Sequence, residues 1–250
     1  MSDTSPDAPR GPRIQGYDYS LFGEVEERPV STIRRIIADR MTASGPHAAQ
    51  VTQYDLIDIT DLEKRRADLA AVAEEKGVKL TLLAFIIQAS IAVLRDQPEF
   101  NASLDAEGET LILKKYYNIG FAVDAPQGLL VPVIRNADQY DLFGLAERIG
   151  ELGDKARAGR LAFADAEGGS FSVSSLGPIG GTGFSPIVNA PEVAILGVAR
   201  AEERPVVRDG AVVVRQMLPV SLAYDHRAVD GAQGGRFLTS LCQRLAAAEI

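Results

Sequence analysis

The stretch that most constrains the fold lies between residues 212 and 245. Val212 to Tyr224 is rich in β-branched and apolar side chains and reads as a buried strand. Beyond it Phe237, Leu238, Leu241 and Leu245 recur at helical spacing. Between strand and helix stands Asp225-His226-Arg227-Ala228-Val229-Asp230-Gly231, which holds one of the chain's two histidines. A histidine therefore sits where a buried strand turns into a helix, and loops held by rigid elements are where chemistry concentrates.

The heptapeptide has suitable residues for acid–base work. A histidine titrates near neutral pH and can take a proton from a thiol or a hydroxyl. Asp230, four residues on, falls at the start of the last helix, where a carboxylate complements the helix dipole or braces a loop through an arginine. Gly231 permits close backbone approach. A solvated His-Arg-Asp surface cluster is equally compatible with these seven residues alone.

The rest of the chain supplies helices and strands in alternation. Residues 1–23 are rich in Pro, Gly, Ser and Asp without an apolar period and read as a flexible N-terminal arm, with Tyr17, Tyr19, Leu21 and Phe22 available to pack on the body; residues 24–250 form the folded domain. A helix is expected over 31–43, capped by Ser31, with Ile33, Ile36, Ile37 and Met41 inward. Residues 50–59 alternate as a strand. Thr60-Asp61-Leu62-Glu63 has the form of a capping box opening a helix that runs to Gly77. From Thr81 a helix apolar nearly all round is expected to be central and buried. Short strands are expected over 101–134, a helix capped by Asp141 to about Ala158, and mostly strand over 169–224 around a Gly-rich break at 177–183. Such alternation gives an α/β or α+β fold with a large mixed sheet.

Several function classes are disfavoured. A net charge of −8 argues against nucleic acid as a partner. No apolar run of transmembrane length and no secretory leader occur, so no membrane association is expected. Cys242 is the single cysteine; it forms no intrachain disulfide, suits a reducing cytoplasm, and reads as a small buried hydrophobe rather than a nucleophile. His47 has no carboxylate or cysteine at ligand spacing, and no metal cluster is expected. The glycine-rich break lacks the Lys-Ser/Thr ending of a phosphate loop. No Gly-x-Ser-x-Gly pentapeptide exists to support a serine hydrolase. Lys155, Arg157 and Arg160 form a basic knot, read either as cations complementing a helix C-terminus or as a contact for coenzyme A phosphates.

The heptapeptide resembles the Asp-His-Arg-x-x-Asp-Gly motif of the dihydrolipoyl acyltransferase catalytic domains of 2-oxo acid dehydrogenase complexes, a looser form of which chloramphenicol acetyltransferases share. Phe171 to Gly177, Phe184 to Glu192, Tyr117 to Val123 and Gly128 to Ile134 are similar to the same family. The resemblance covers roughly residues 24 to 247 and is closest to the pyruvate-type branch. It implies a chloramphenicol acetyltransferase-like two-layer α/β sandwich, a large mixed sheet flanked by helices, assembled as a homotrimer.

The same resemblance implies site roles. His226 would be the general base on the attacking group, and Ser174 the hydrogen-bond donor to the oxyanion. Asp230 would hold the loop and the imidazole, with Arg35 as its partner. Phe184, Lys155 and Arg157 would contact coenzyme A. Family members carry the counterparts of Ser174 and His226 on neighbouring subunits. Coenzyme A or acyl-CoA is the expected co-substrate, with no metal and no lipoyl attachment site in this chain. The absence of a lipoyl domain points to a stand-alone enzyme that acylates a small-molecule hydroxyl in a biosynthetic pathway. The alternative is a dihydrolipoyl acyltransferase core using a lipoyl domain in trans. A non-catalytic binding module is the reading of another class, although His226, Ser174 and Asp230 are all present. The chain stops at Ile250 without an apolar tail, and a free cytoplasmic trimer is expected rather than a core of many trimers.

Overall fold

The computed structural model describes residues 18–31, 34–35, 37–39, 49–177 and 179–248. Its strands in chain order are β1 (Gln50–Asp58), β2 (Ala102–Leu104), β3 (Leu111–Leu113), β4 (Ile119–Phe121), β5 (Val123–Ala125), β6 (Gly128–Leu130), β7 (Val133–Ile134), β8 (Phe171–Ser175), β9 (Ala194–Val198), β10 (Glu202–Arg208) and β11 (Ala211–Asp225). The helices are α1 (Thr60–Asp68), α2 (Ala70–Glu75), α3 (Leu82–Asp96), α4 (Leu142–Arg157) and α5 (Gly231–Ala246). A seven-stranded sheet has the order β1-β11-β9-β8-β4-β7, with β10 also paired to β11. β8 runs parallel to β4 and β9, while β11 is antiparallel to β1, β9 and β10, so the sheet is mixed, as the sequence implies.

β11 organises the sheet because its length lets it pair three strands. Leu218, Val220, Leu222 and Tyr224 alternate toward the helices and join the core. Opposite them on the sheet, Ala194, Leu196 and Val198 of β9 and Phe171 and Val173 of β8 point the same way. α3 is buried along most of its length, including Phe85, Ile86, Ile87 and Leu94. Each such side chain contributes about 1.5–3 kcal/mol through burial. Ser90, also buried there, donates its hydroxyl to the Ile86 carbonyl at 2.7 Å, so its own polar group is satisfied. Between sheet and α5, Phe100 stacks against Phe237 at 4.6 Å and meets Tyr224 edge-on at 6.3 Å.

Other expectations need correction. Thr60 opens α1 but makes no capping box. Its hydroxyl donates to Asp58 at 2.7 Å and accepts the Gln216 N–H of β11 at 2.9 Å, so the sheet has taken the group that would cap the helix. The helix expected to reach Gly77 divides at Leu69 into α1 and α2. Residues 176–193, expected to be mostly strand, contain no strand among those described. In the first expected helix, residues 34, 35 and 37–39 are helical, and the Ser31 hydroxyl accepts the Arg34 N–H at 3.3 Å. Ile33, Ile36, Met41, His47 and Tyr17 lie outside the described residues. Tyr19 to Phe22 forms a 3-10 turn capped by Asp18, and its side chains are exposed. No helix among the described residues is long and apolar enough to cross a membrane.

Candidate active site

The face of the sheet turned away from α3 and α5 is polar where β8, β9 and β11 adjoin. Strand alternation sends Phe171 and Val173 into the core, and Ser172 and Ser174 to this second face. Ser174 lies opposite Gly197 of β9, and Gly197 opposite Ser221 of β11. A chain segment crosses this face and is pinned by side chains of the sheet. The Ser221 hydroxyl donates to the Phe184 carbonyl at 2.7 Å. Gln50 donates to the Pro186 carbonyl and accepts the Val188 N–H, both at 3.0 Å. Gly197 is what lets the segment lie so close: a Cβ there would stand 3.1 Å from the Phe184 ring and 3.2 Å from Pro186.

The segment and the sheet enclose a cleft of about 340 Å³, lined by Ser172, Ser174, Phe184, Ile187 and Asn189 among others. Ser174 and Phe184 thus share one cavity. A wider cleft of about 750 Å³ adjoins it, sharing Ser175 and Ile179, and carries Lys79, Arg157 and Arg200 on its walls. Arg157 also pairs with Asp154 at 2.8 Å. Lys155 does not line either cleft and lies 3.9 Å from Glu151. Lys79 and Arg200 were not singled out by sequence, since neither belongs to a motif or a charge cluster; only the fold brings them beside Arg157.

His226 begins the loop at the end of β11. Its N–H donates to the Ala49 carbonyl at 2.9 Å, and its exposed ring lies 6.1 Å from the Tyr224 ring. The loop is braced by its neighbours. Asp225 is buried and accepts from the Arg227 N–H at 3.0 Å and from its guanidinium at 2.6 Å. Burial disfavours the Asp225 charge, but the Arg227 hydrogen bonds outweigh it and hold the carboxyl below its usual range. Asp230 caps α5: its carboxylate accepts the Gln233 N–H, and the Gln233 side chain accepts the Asp230 N–H, each at 2.8 Å. Gly234, one turn along, has no room for a side chain, because a Cβ would meet Tyr224 at 2.8 Å and Gln53 at 2.5 Å. Asp230 therefore fixes the helix start that follows the histidine. Arg35 is exposed in the helical residues near the N-terminus.

The two expected catalytic side chains do not meet within one chain. Ser174 and Ser221 are separated by two strand spacings, and His226 lies five residues further along β11. Strand geometry puts the two roughly 20 Å apart. Cys242 is half-buried, and burial with Asp55 nearby pushes its thiol up to about 12, which suits an inert packing residue. Among the described residues no group of three His, Cys, Asp or Glu side chains is placed to hold a metal ion.

Comparison with known proteins agrees with this architecture. Residues 22–249 match the 2-oxoacid dehydrogenases acyltransferase (catalytic domain) family. The chain is 49% identical over 235 residues to the dihydrolipoyllysine-residue acetyltransferase component of the pyruvate dehydrogenase complex of Pseudomonas aeruginosa, covering 94% of this chain but 43% of that protein. It thus spans less than half the length of that relative. A solved structure of the Azotobacter vinelandii dihydrolipoamide acetyltransferase is 48% identical, with a TM-score of 0.93, covering 96% of this chain and 100% of that one. That structure comes from a study of the role of a serine, a histidine and an asparagine in its catalytic mechanism. The cubic core of a pyruvate dehydrogenase multienzyme complex matches with the same identity, score and coverage. A chloramphenicol acetyltransferase shares the fold, with a TM-score of 0.52 at 14% identity over 84% of this chain and 94% of that one. The chain belongs to the 2-oxoacid dehydrogenase acyltransferase catalytic-domain family.

Proposed function

We propose that this chain transfers an acyl group, acetyl in the first instance, between coenzyme A and the thiol of a dihydrolipoyl group carried on a separate domain. The transfer takes place at a site completed by a second copy of the chain. The observation that carries the reading is the separation of Ser174 and His226 along the sequence. The serine, histidine and asparagine studied in the Azotobacter vinelandii enzyme have the same separations as Ser174, His226 and Asp230 here. The asparagine differs from Asp230 in charge, but both residue types accept the N-cap hydrogen bond that Asp230 makes. What they share is the ability to fix the helix after the histidine.

The proposed chemistry follows from these placements. His226 takes the proton of the attacking thiol as the sulfur bonds to the thioester carbonyl carbon. The carbonyl oxygen gains the negative charge of the tetrahedral intermediate, and the Ser174 hydroxyl donates to it. The intermediate collapses, the carbon–sulfur bond to the leaving thiolate breaks, and that thiolate recovers the proton from His226. The cleft beside Ser174 accommodates the thioester arm, with Phe184 on its wall. The wider basic cleft, with Lys79, Arg157 and Arg200, fits the phosphates of coenzyme A. Because Ser174 and His226 stand about 20 Å apart in one chain, each site draws the two from different copies. A homotrimer, as the sequence resemblance implies, supplies such pairs.

The comparisons favour a dihydrolipoyl acceptor over the small-molecule hydroxyl. The close relatives are dihydrolipoyllysine acetyltransferases, while the chloramphenicol enzyme supports the fold alone. The reading is tested by assaying acetyl-CoA with dihydrolipoamide. The parent should release coenzyme A, and His226→Ala should lower turnover about 10²–10⁴-fold with its circular dichroism unchanged. A His226→Ala protein within a few-fold of the parent, or a parent with no transfer at all, would overturn it.

A further inference from the structure

Behind the wall of the Ser174 cleft stands a buried acid that the acyl-transfer chemistry does not use. Glu192 is 5% exposed. Its Oε1 accepts from the Asn189 side chain at 3.3 Å, and a Cβ on Gly169 would lie 2.5 Å from that oxygen, so the loop before β8 closes tightly over the carboxyl. Burial pushes the Glu192 carboxyl up to about 7, further than the Ser172 hydroxyl, the Lys114 charge and Asn189 bring it down. Lys114, at the end of β3, is the charged group facing it, and burial lowers that amine as well. Glu192 Oε2 and Ser172 Oγ are both buried and lack an aligned hydrogen-bond partner among the described residues, although Ser172 is near enough to favour the carboxylate. Two buried polar atoms, the hydroxyl close enough to act on the carboxylate charge, thus lie unsatisfied behind the cleft. Ser172 and Asn189, the side chains Glu192 touches, both line that cleft beside Ser174.

We propose that Glu192 is a positioning residue of the acyl-transfer cleft, whose protonation state turns the Ser172 hydroxyl inward or toward the cleft. The proposal rests on the acyl-transfer reading. An ionised carboxylate can only accept, so it draws the Ser172 hydrogen inward and leaves an oxygen lone pair toward the cleft. A neutral carboxyl donates to Ser172 Oγ, and the serine hydrogen is then free to point into the cleft beside Ser174. The switch changes the polar wall near the thioester without moving backbone.

Glu192→Gln isolates this effect, because an amide donates to Ser172 as the neutral acid does. The turnover number and the Michaelis constants for acetyl-CoA and dihydrolipoamide are measured for both proteins from acid to alkaline pH. The ratio of turnover numbers should stay near one on the acid side and depart by roughly 3-fold or more once the carboxyl has ionised, with the Michaelis constants unchanged. A ratio constant across pH overturns the proposal. Should Glu192→Gln fail to fold, Ser172→Ala carries the test: it must lose the same inflection, and an unchanged inflection refutes the switch. The infrared band of the protonated carboxyl, titrated in the parent and absent from Glu192→Gln, follows Glu192 without any turnover. A carboxyl that titrates near neutrality without any effect on turnover overturns the positioning role alone. A parent without transfer activity overturns the functional reading instead.

Discussion

Ser174 and His226 leave the same sheet from different strands, separated by two strand spacings and by five residues of β11. The register that places Ser174 beside Gly197 and Ser221 holds the serine under the crossing segment, in the cleft with Phe184. The histidine is carried past the end of the sheet, onto an exposed loop. No side-chain rotation closes a gap of roughly 20 Å, so the chemistry assigned to the pair requires a second copy.

Ser174→Ala removes the proposed oxyanion donor but leaves a strand residue of suitable size. It should lower the turnover number about 10²-fold, with little change in the Michaelis constant for acetyl-CoA. Steady-state kinetics check this, and a raised Michaelis constant at unchanged turnover would assign Ser174 to binding alone.

Asp230 acts through the helix it caps, so charge should matter less than hydrogen-bonding ability. Asp230→Asn should keep most of its stability and activity. Asp230→Ala loses the cap and should cost about 1 kcal/mol, with turnover lowered because the histidine loop is less firmly held. Thermal unfolding and turnover of the two variants decide it. Equal loss in both would point to the carboxylate charge.

Asp58 gives a stability prediction with a defined pH window. Burial works against its ionisation, but hydrogen bonds from Arg215 and from the Thr60 side chain and amide, with the Arg215 charge, hold the carboxyl at about 2. A depressed folded value stabilises the protein above the ordinary carboxylate range, and that contribution is lost as pH falls through about 2. Asp58→Asn should therefore cost about 2 kcal/mol near neutral pH, and the difference should shrink between about pH 4 and pH 2. Urea unfolding at both ends of the window measures it.

Local rules read much of this fold correctly. The strand expected over 50–59 is β1, although its burial does not alternate; α3 has its nearly continuous apolar surface, and Asp141 caps α4 by accepting the Gly144 N–H at 2.7 Å. The stretch around His226 is a strand, a loop and a helix capped by Asp230, as its pattern indicates, but the strand is buried only from Met217 to Asp225, and Val212 and Val214, expected to be buried, are exposed. What failed was non-local. The Thr60 capping box is lost because the hydroxyl serves Gln216, more than a hundred residues away. Ile179, Phe184 and Ile187 have the apolar character of strand residues, yet their segment covers a sheet face instead of pairing within it. The family resemblance names Ser174 and His226 but not the register that separates them. Glu192 follows no motif of acid–base chemistry, and its burial against Ser172 exists only once β8 and the crossing segment have met.

The most direct test is complementation between two inactive proteins. Ser174→Ala and His226→Ala are purified separately, mixed under conditions where subunit exchange is demonstrated with differently labelled chains, and assayed for transfer from acetyl-CoA to dihydrolipoamide. A composite site predicts recovered activity, since some interfaces in mixed assemblies pair an intact Ser174 from one chain with an intact His226 from another. Complete exchange with no recovery would contradict a site shared between chains.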